Sequence, residues 1–170
     1  VIPPDALESN NSRGAATRLS GEDQTFSGLN IHSSSDSDYF RLQSKGTGSG
    51  TFSIQFSQSA GNLDLQLMNA SGSVLASSTS STNNESIEYA LSKDATYYVR
   101  VFGSQGARNG SYRLTVNAPQ ALPPVAASDR AAFDGLNETI QVNALANDTD
   151  PDGDHSTLTP VLKSNGGGSF

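Results

Sequence analysis

Short runs of alternating apolar and polar residues constrain the fold of this 170-residue chain more than any other feature of its sequence. Apolar side chains at every second position place one face of a β-strand against a core. No window of a dozen residues has the 3.6-residue period of an amphipathic helix. The alternating apolar residues, strand by strand, are Phe40 and Leu42; Phe52, Ile54 and Phe56; Leu63, Leu65 and Leu67; Ile87, Tyr89 and Leu91; Tyr97, Val99 and Val101; and Tyr112, Leu114 and Val116.

Turn-forming sequences separate these runs, among them G-T-G-S-G at 46–50 and R-N-G at 108–110. Weaker strands are predicted at 26–31 and 73–78. About eight short strands at this spacing predict an all-β fold, an antiparallel β-sandwich of jelly-roll or related type over residues 20–117.

The sequence changes character after residue 117. Residues 118–126, A-P-Q-A-L-P-P-V-A, contain three prolines, which fix φ and remove backbone donors, so we predict an extended linker. Beyond it, T-I-Q-V-N-A-L and L-T-P-V-L have the pattern of strands. Residues 127–170 are few for an independent core, and we expect a truncated or poorly ordered domain. Because the chain lacks a leader, we interpret it as a piece of a longer protein.

Charge and composition exclude several classes of partner. The net charge is −7 and the pI is about 4.6, which argues against nucleic acid and anionic membranes but suits divalent cations. No cysteine is present, so disulfides and thiolate metal sites are excluded. No apolar run approaches the roughly 18 residues of a membrane span.

Signals of catalysis are sparse. The two histidines, His32 and His155, lie far apart in no metal-ligand spacing, and we expect both to be solvated. Asp36 and Asp38 share one side of an extended segment, but a small sandwich implies no substrate cleft between them. We therefore predict that the chain is not an enzyme.

Two separate segments are rich in side-chain oxygens. Glu8, Asn10 and Asn11 lie in L-E-S-N-N-S, and Asp36 and Asp38 lie in D-S-D ahead of a strand. Calcium takes 6–8 oxygen ligands, including backbone carbonyls and waters. Spacing does not show whether the segments meet, so a calcium site and a turn with Asx hydrogen bonds both stay open.

The order of six motifs resembles the bacterial pre-peptidase C-terminal domain over about residues 5–117. They are L-E-S-N-N-S, F-S-G-L-N-I, D-S-D-Y-F-R-L, G-N-L-D-L-Q-L-M-N-A-S-G, A-T-Y-Y-V-R-V-F-G and S-Y-R-L-T-V. This family consists of non-catalytic β-sandwiches appended to secreted proteases and other exported bacterial proteins. In the related collagen-binding domains of clostridial collagenases, calcium lies between an acidic N-terminal segment and a loop before a strand. The resemblance implies the calcium ligands Glu8, Asn10, Asn11, Asp36 and Asp38.

The chain departs from this family at one ligand segment. Where the family often has E-P-N-D, this sequence has E-S-N-N, which removes one carboxylate but keeps its oxygen. The resemblance therefore implies weaker calcium binding. Collagen-binding relatives also use surface aromatics, and Tyr98, Arg100 and Phe102 form an outward row here. That row is either a ligand-binding surface or ordinary cross-strand packing.

A second acidic cluster follows the linker. D-T-D-P-D-G-D matches the first half of an EF-hand loop, but Thr159 stands where the bidentate Glu is required. With the sequence around it, the cluster resembles the start of cadherin-like adhesin repeats, which bind calcium at domain junctions. The alternative is an acidic turn. The implied ligands of this second site are Asp148, Asp150, Asp152 and Asp154.

Together these features predict a non-catalytic, calcium-binding accessory or adhesion domain of an exported bacterial protein, secreted or at the cell surface. It would attach its parent to a substrate or surface, such as a collagen-like protein or polysaccharide, or act as a spacer beside neighbouring domains. One alternative is a cleaved maturation segment of a secreted peptidase. Another is a carbohydrate-binding module, which the absence of tryptophan disfavours.

Overall fold

The computed structural model of the protein describes residues 1–129, 143 and 145–151. Contacts divide the chain into two units, Val1–Ala121 and Leu122–Phe170. The first unit carries nine strands and three short 3₁₀ turns, at Arg13–Ala15, Gln58–Ala60 and Ser104–Gly106. The strands are β1 (Thr17–Arg18), β2 (Gln24–Ile31), β3 (Ser37–Gln43), β4 (Gly48–Phe56), β5 (Leu63–Asn69), β6 (Val74–Ser78), β7 (Asn84–Leu91), β8 (Thr96–Gly103) and β9 (Asn109–Asn117).

The strands form two sheets that enclose one core. The five-stranded sheet has the order β1-β3-β8-β5-β6, and the four-stranded sheet has the order β2-β9-β4-β7. Every pairing is antiparallel except that of β1 with β3. The alternating apolar residues named above face the core, where only Tyr89 is less than fully buried. The predicted all-β sandwich is confirmed.

The first residues after β9 belong to the first unit. The backbone N–H of Ala118 donates to Oδ1 of Asp23 (3.0 Å), and the Gln120 amide donates to the Gly21 carbonyl (3.3 Å). A side chain at Gly46 would bring Cβ to 2.2 Å from the Gln120 carbonyl oxygen, so glycine is required at that position. The segment predicted as a linker therefore begins packed on the sandwich.

In the second unit, an isolated bridge joins Val125 and Thr149. The backbone N–H of Ala127 donates to Oδ1 of Asp148 (2.7 Å). The two strands predicted beyond the linker, at 139–145 and 158–162, lie outside the described residues except for 143 and 145.

A buried carboxylate joins the two sheets where β6 leads into β7. Glu85 is 1% exposed and shares the inward face of β7 with Ile87. Its oxygens accept hydrogen bonds from the hydroxyl of Ser78 and from both the N–H (2.8 Å) and hydroxyl (2.6 Å) of Ser80. These donors offset the cost of removing the charge from water.

We expect Ser80→Ala to lower the free energy of unfolding by about 1.5 kcal/mol, because a hydrogen bond to a buried charged group is lost. Urea denaturation measures this change. Ser77→Ala, on the exposed side of β6, is the matched control and should change stability by less than about 0.5 kcal/mol. Equal effects of the two substitutions would contradict the role given to Glu85.

Candidate metal centre

The N-terminal segment is tied to the end of β2. The carboxylate of Asp5 accepts hydrogen bonds from the N–H of Leu7 and the N–H of Asn30, each at 2.8 Å. The side-chain amide of Asn30 donates to the carbonyl of Pro3 at 3.1 Å. These bonds fix the path of the chain just before Glu8.

The same segment is then tied to the start of β3. The N–H of Tyr39 donates to the carbonyl of Asn10 at 3.0 Å. The N–H of Ser37 donates to Oδ1 of Asn11 at 3.1 Å, and the amide of Asn11 donates to Oε2 of Glu8 at 3.1 Å. The two oxygen-rich segments of the sequence therefore meet.

The loop between β2 and β3 places the carboxylate of Asp36 where the N-terminal segment meets the start of β3. The N–H of Asp36 donates to the carbonyl of Ser33 (3.3 Å), and the N–H of His32 donates to Oδ2 of Asp36 (2.7 Å). This turn leaves Asp36 only 4% exposed at the start of β3. It also carries the imidazole of His32 to the same place.

Glu8, His32 and Asp36 form a close cluster. Nδ1 of His32 lies 3.1 Å from Oε1 of Glu8 and 2.7 Å from Oδ2 of Asp36. One potential ligand atom from each residue lies within 4.8 Å of the other two. The carboxylates of Glu8 and Asp36 face each other, and their repulsion must be offset by a cation or a proton.

Four buried oxygens around this cluster have no hydrogen-bond partner. They belong to four of the five residues that the family resemblance assigned to calcium: Oδ1 of Asn10, Oδ1 of Asp36, Oδ1 of Asp38, and Oε1 of Glu8, which lies 3.1 Å from Nδ1 of His32 without a hydrogen bond. Asn10 is 1% exposed and Asp38 is fully buried. Buried polar atoms without partners are rare and costly, so each calls for a specific explanation.

Asp38 lies deepest in the site. Burial raises the pKa of its carboxyl to about 8, and the charges of Asp36, Asp5 and Glu8 push it the same way. The hydroxyl of Tyr112 donates to Oδ2 of Asp38, which opposes the rise. Burial, together with the nearby Asp38 charge, raises the pKa of the Tyr112 hydroxyl, so it remains a donor.

The pKa of Glu8 is also raised. Burial is the main cause, and the facing carboxylate of Asp36 adds to it, while His32 acts in the opposite direction. Raised carboxyl pKa values show that this site disfavours its own negative charge. A bound cation would remove that penalty.

Of the predicted calcium ligands, the structure brings Glu8 and Asp36 together with His32. Asn10 and Asp38 are buried on the same two segments, whereas Asn11 uses its oxygen on the backbone of Ser37 and acts as a positioning residue. The expectation that His32 is solvated is wrong, because its side chain is 26% exposed and contacts two carboxylates. No motif spacing in the sequence joins His32 to Glu8.

The donor set fits a hard cation. Carboxylate and amide oxygens are the ligands of calcium, and backbone carbonyls and waters ordinarily complete its shell. Of the predicted second site, Asp148 accepts a backbone hydrogen bond and Asp150 is described, while Asp152 and Asp154 lie outside the described residues.

The row of Tyr98, Arg100 and Phe102 lies on the outer face of the five-stranded sheet. The guanidinium carbon of Arg100 is 4.2 Å from the ring centre of Phe102 and 5.6 Å from that of Tyr39. Nη2 of Arg100 donates a hydrogen bond to Oγ of Ser37 at 3.1 Å. All three row residues are half-buried, so packing holds them while part of each faces solvent.

The family model of the bacterial pre-peptidase C-terminal domain matches residues 36–103. No curated protein sequence matches the chain. A solved structure of the pre-peptidase C-terminal domain of collagenase from Bacillus anthracis is similar, with 18% identity, a TM-score of 0.51, and coverage of 60% of this chain and 94% of that one. This likeness shows the sandwich fold.

Two other solved structures are more distant. The periplasmic inhibitor of g-type lysozyme PliG from Aeromonas hydrophila has 12% identity and a TM-score of 0.47, covering 61% of this chain and 96% of that one. A CBM35 from Cellvibrio japonicus Abf62 has 13% identity and a TM-score of 0.34, covering 53% and 73%. Within the described residues, no helix has the length and apolar character needed to cross a bilayer.

Proposed function

We propose that this chain, whose residues 36–103 belong to a bacterial pre-peptidase C-terminal domain, is a non-catalytic, calcium-binding accessory domain of an exported protein. Its role is to attach the parent protein to a substrate or surface, or to space it from neighbouring domains. The place of action is outside the cell or at its surface.

One observation carries the calcium part of the proposal. Four buried side-chain oxygens on two segments that meet have no hydrogen-bond donor, Glu8 and Asp36 offer ligand atoms within 4.8 Å of each other, and the pKa values of Glu8 and Asp38 are raised. A stable turn would satisfy these atoms within the protein. An oxygen-binding cation satisfies them together and neutralises the charge.

Calcium bound at this site would supply positive charge to the facing carboxylates of Glu8 and Asp36. Glu8 and Asn10 would hold it from the N-terminal segment, and Asp36 and Asp38 from the sandwich. Asn11 and the backbone of Tyr39 keep the two sides in register. Because the ion requires both sides, its binding free energy would add to the stability of the folded domain.

The accessory role is supported by the family and by the outer sheet face. Members of the family are appended to secreted proteases and other exported proteins. The Arg100 row gives this domain a preorganised aromatic and cationic surface that faces solvent. The cluster of Glu8, His32 and Asp36 lies where the N-terminal segment meets the sandwich, with Asp36 buried and the other two residues half-buried.

Calorimetric titration tests calcium binding directly. The full chain should bind calcium at one strong site, and Asp36→Asn should weaken the affinity at least tenfold, which is about 1.4 kcal/mol. Asp94→Asn removes the same charge from an exposed turn at φ 63°, where asparagine is tolerated, and should leave the affinity unchanged. Absent binding heat, or equal affinities for all three proteins, would refute the calcium site.

A further inference from the structure

Arginines are concentrated on the outer face of the five-stranded sheet, although the chain is acidic overall. We define the arginine face by the outward residues of β1, β3 and β8. They alternate with the buried residues of the same strands and are Arg18, Tyr39, Arg41, Tyr98, Arg100 and Phe102.

Strand register sets the order of these side chains across the sheet. Arg18 of β1 is the direct partner of Arg41 of β3, and Arg41 is the direct partner of Tyr98 of β8. In the next outward row, Tyr39 pairs with Arg100. Guanidinium groups and aromatic rings therefore alternate along β3 and β8, while Arg18 and Arg41 stand side by side across the edge of the sheet.

The charges of Arg18 and Arg41 have no partner within the described residues. No carboxylate lies within 4.0 Å of either guanidinium, and Nε of Arg41 is buried without a hydrogen bond. Like charges directly opposite each other on neighbouring strands are destabilising. Among the described residues no acid is placed at this pair, although the net charge of the chain is −7, so both guanidinium groups are open to an external anion.

The acid on the neighbouring strand does not supply this charge. Asp64 of β5 pairs with Phe102, two residues along the strand from Arg100 and four from Tyr98. Asp64 is 7% exposed, and burial raises the pKa of its carboxyl. Strand β8 separates Asp64 from β3 and β1, so its carboxylate does not pair with Arg18 or Arg41.

A small recess lies between the two unpaired arginines. It has a volume of about 70 Å³ and is lined by Arg18, Leu19, Arg41 and Gln43. A carboxylate group is small enough to enter a recess of this size. Two guanidinium groups at its walls offer the forked N–H donors that match a carboxylate.

The surroundings of the recess favour a carbohydrate over a peptide as the bearer of that carboxylate. An acidic peptide gains affinity by adding a strand to a sheet edge, but β1 at this edge is only two residues long. The adjoining surface is a strand face with the half-exposed rings of Tyr39 and Tyr98. Arg100 lies over the first ring at 5.6 Å and Arg13 over the second at 5.8 Å, so a sugar would pack against the part of each ring that still faces solvent.

We propose that the arginine face binds a uronic-acid polysaccharide, with one carboxylate in the recess between Arg18 and Arg41 and adjoining sugars over Tyr98 and Tyr39. This proposal specifies the substrate class of the attachment role and rests on that role. It does not require an ion at the calcium site.

The test uses the full chain and an oligogalacturonate of eight sugars, with its methyl ester as the neutral counterpart. Calorimetry at low salt should give binding to the free acid at least tenfold tighter than to the ester. Arg18→Gln and Arg41→Gln should each weaken binding about five- to tenfold, as expected for loss of a charge-assisted contact. Arg113→Gln, on the exposed face of the other sheet, should change the affinity less than twofold.

Each alternative result overturns the proposal. Equal binding of acid and ester, no binding of either, or an equal loss in Arg113→Gln would remove the role of the arginine pair. Equal or tighter binding of a glutamate oligopeptide would assign the face to acidic proteins. The titrations run in chelator and in calcium, and binding by these criteria in either buffer supports the proposal. A negative result in these titrations has no bearing on the calcium titration of Asp36→Asn, so polysaccharide binding and calcium binding can be refuted independently.

Discussion

Millimolar calcium should raise the melting temperature of the protein, and Asp38→Asn should abolish that rise while stabilising the ion-free protein. Asp38 is fully buried, and burial raises its pKa to about 8, so the carboxylate is unfavourable without a cation. The amide of Asn keeps an oxygen for the Tyr112 hydroxyl but carries no charge. The single substitution therefore has opposite effects in the two buffers.

The expected size of the calcium effect follows from mass action. At a calcium concentration one hundred times Kd, binding adds about 2.7 kcal/mol to the free energy of unfolding. For a domain of this size that corresponds to roughly 10 °C in melting temperature. In chelator at pH 8, Asp38→Asn should gain about 1–3 kcal/mol, because no charge is buried.

Thermal denaturation followed by circular dichroism, in chelator and in calcium, measures both effects. Asp94→Asn serves again as the charge-matched control and should melt like the wild type in each buffer. A wild-type melting temperature that is the same in chelator and in calcium would count against the calcium site. A loss of stability in ion-free Asp38→Asn would show that the carboxylate stabilises the fold by itself.

Without calcium, the free energy of unfolding should fall as pH rises from about 4 to 8. The folded-state pKa of Asp38 is about 8, against 3.8 for the free side chain. The folded protein therefore binds more protons than the unfolded chain in this interval, and stability is lost as pH rises toward the folded pKa. The slope from one such group is at most about 1.4 kcal/mol per pH unit. The raised pKa of Glu8 acts in the same direction.

Urea denaturation at a series of pH values measures this slope. The difference between the wild type and Asp38→Asn isolates Asp38 from other raised carboxyls such as Asp64. Saturating calcium should flatten the wild-type slope, because the ion competes with protons for the same oxygens. If the wild type in chelator gained as much stability between pH 5 and 8 as Asp38→Asn does, the raised pKa of Asp38 would be contradicted.

Most of the sandwich is predictable from sequence because strand alternation is a local signal. Phe52, Ile54 and Phe56 mark β4 without reference to any other strand. The exception is β1, since Thr17 and Arg18 are too few to show a period and depend on their parallel pairing with Phe40 and Arg41. This pairing sets Arg18 beside Arg41 at the edge of the sheet, where the two residues line the arginine recess.

The site was less predictable because its geometry is set by contacts between distant segments. The family resemblance pointed to Glu8 and Asp36, but nothing local places His32 between them. Asp5 precedes the recognised motif, yet its carboxylate fixes the segment by accepting the N–H of Asn30. Asn11 has the right atom type for a ligand, but its oxygen is directed to a backbone N–H that sequence does not place.

The anchoring of strand β2 determines how the domain would carry force in the proposed attachment role. At one end, Asn30 is bonded to Asp5 of the N-terminal segment, and just before the other end Asp23 is bonded to Ala118 after β9. These two anchor points are seven residues apart, or roughly 23 Å along the strand. Tension between the chain before Asp5 and the chain after Gln120 therefore pulls β2 and β9 lengthwise past each other. Their ladder is loaded in shear, so its hydrogen bonds must yield together and not one after another.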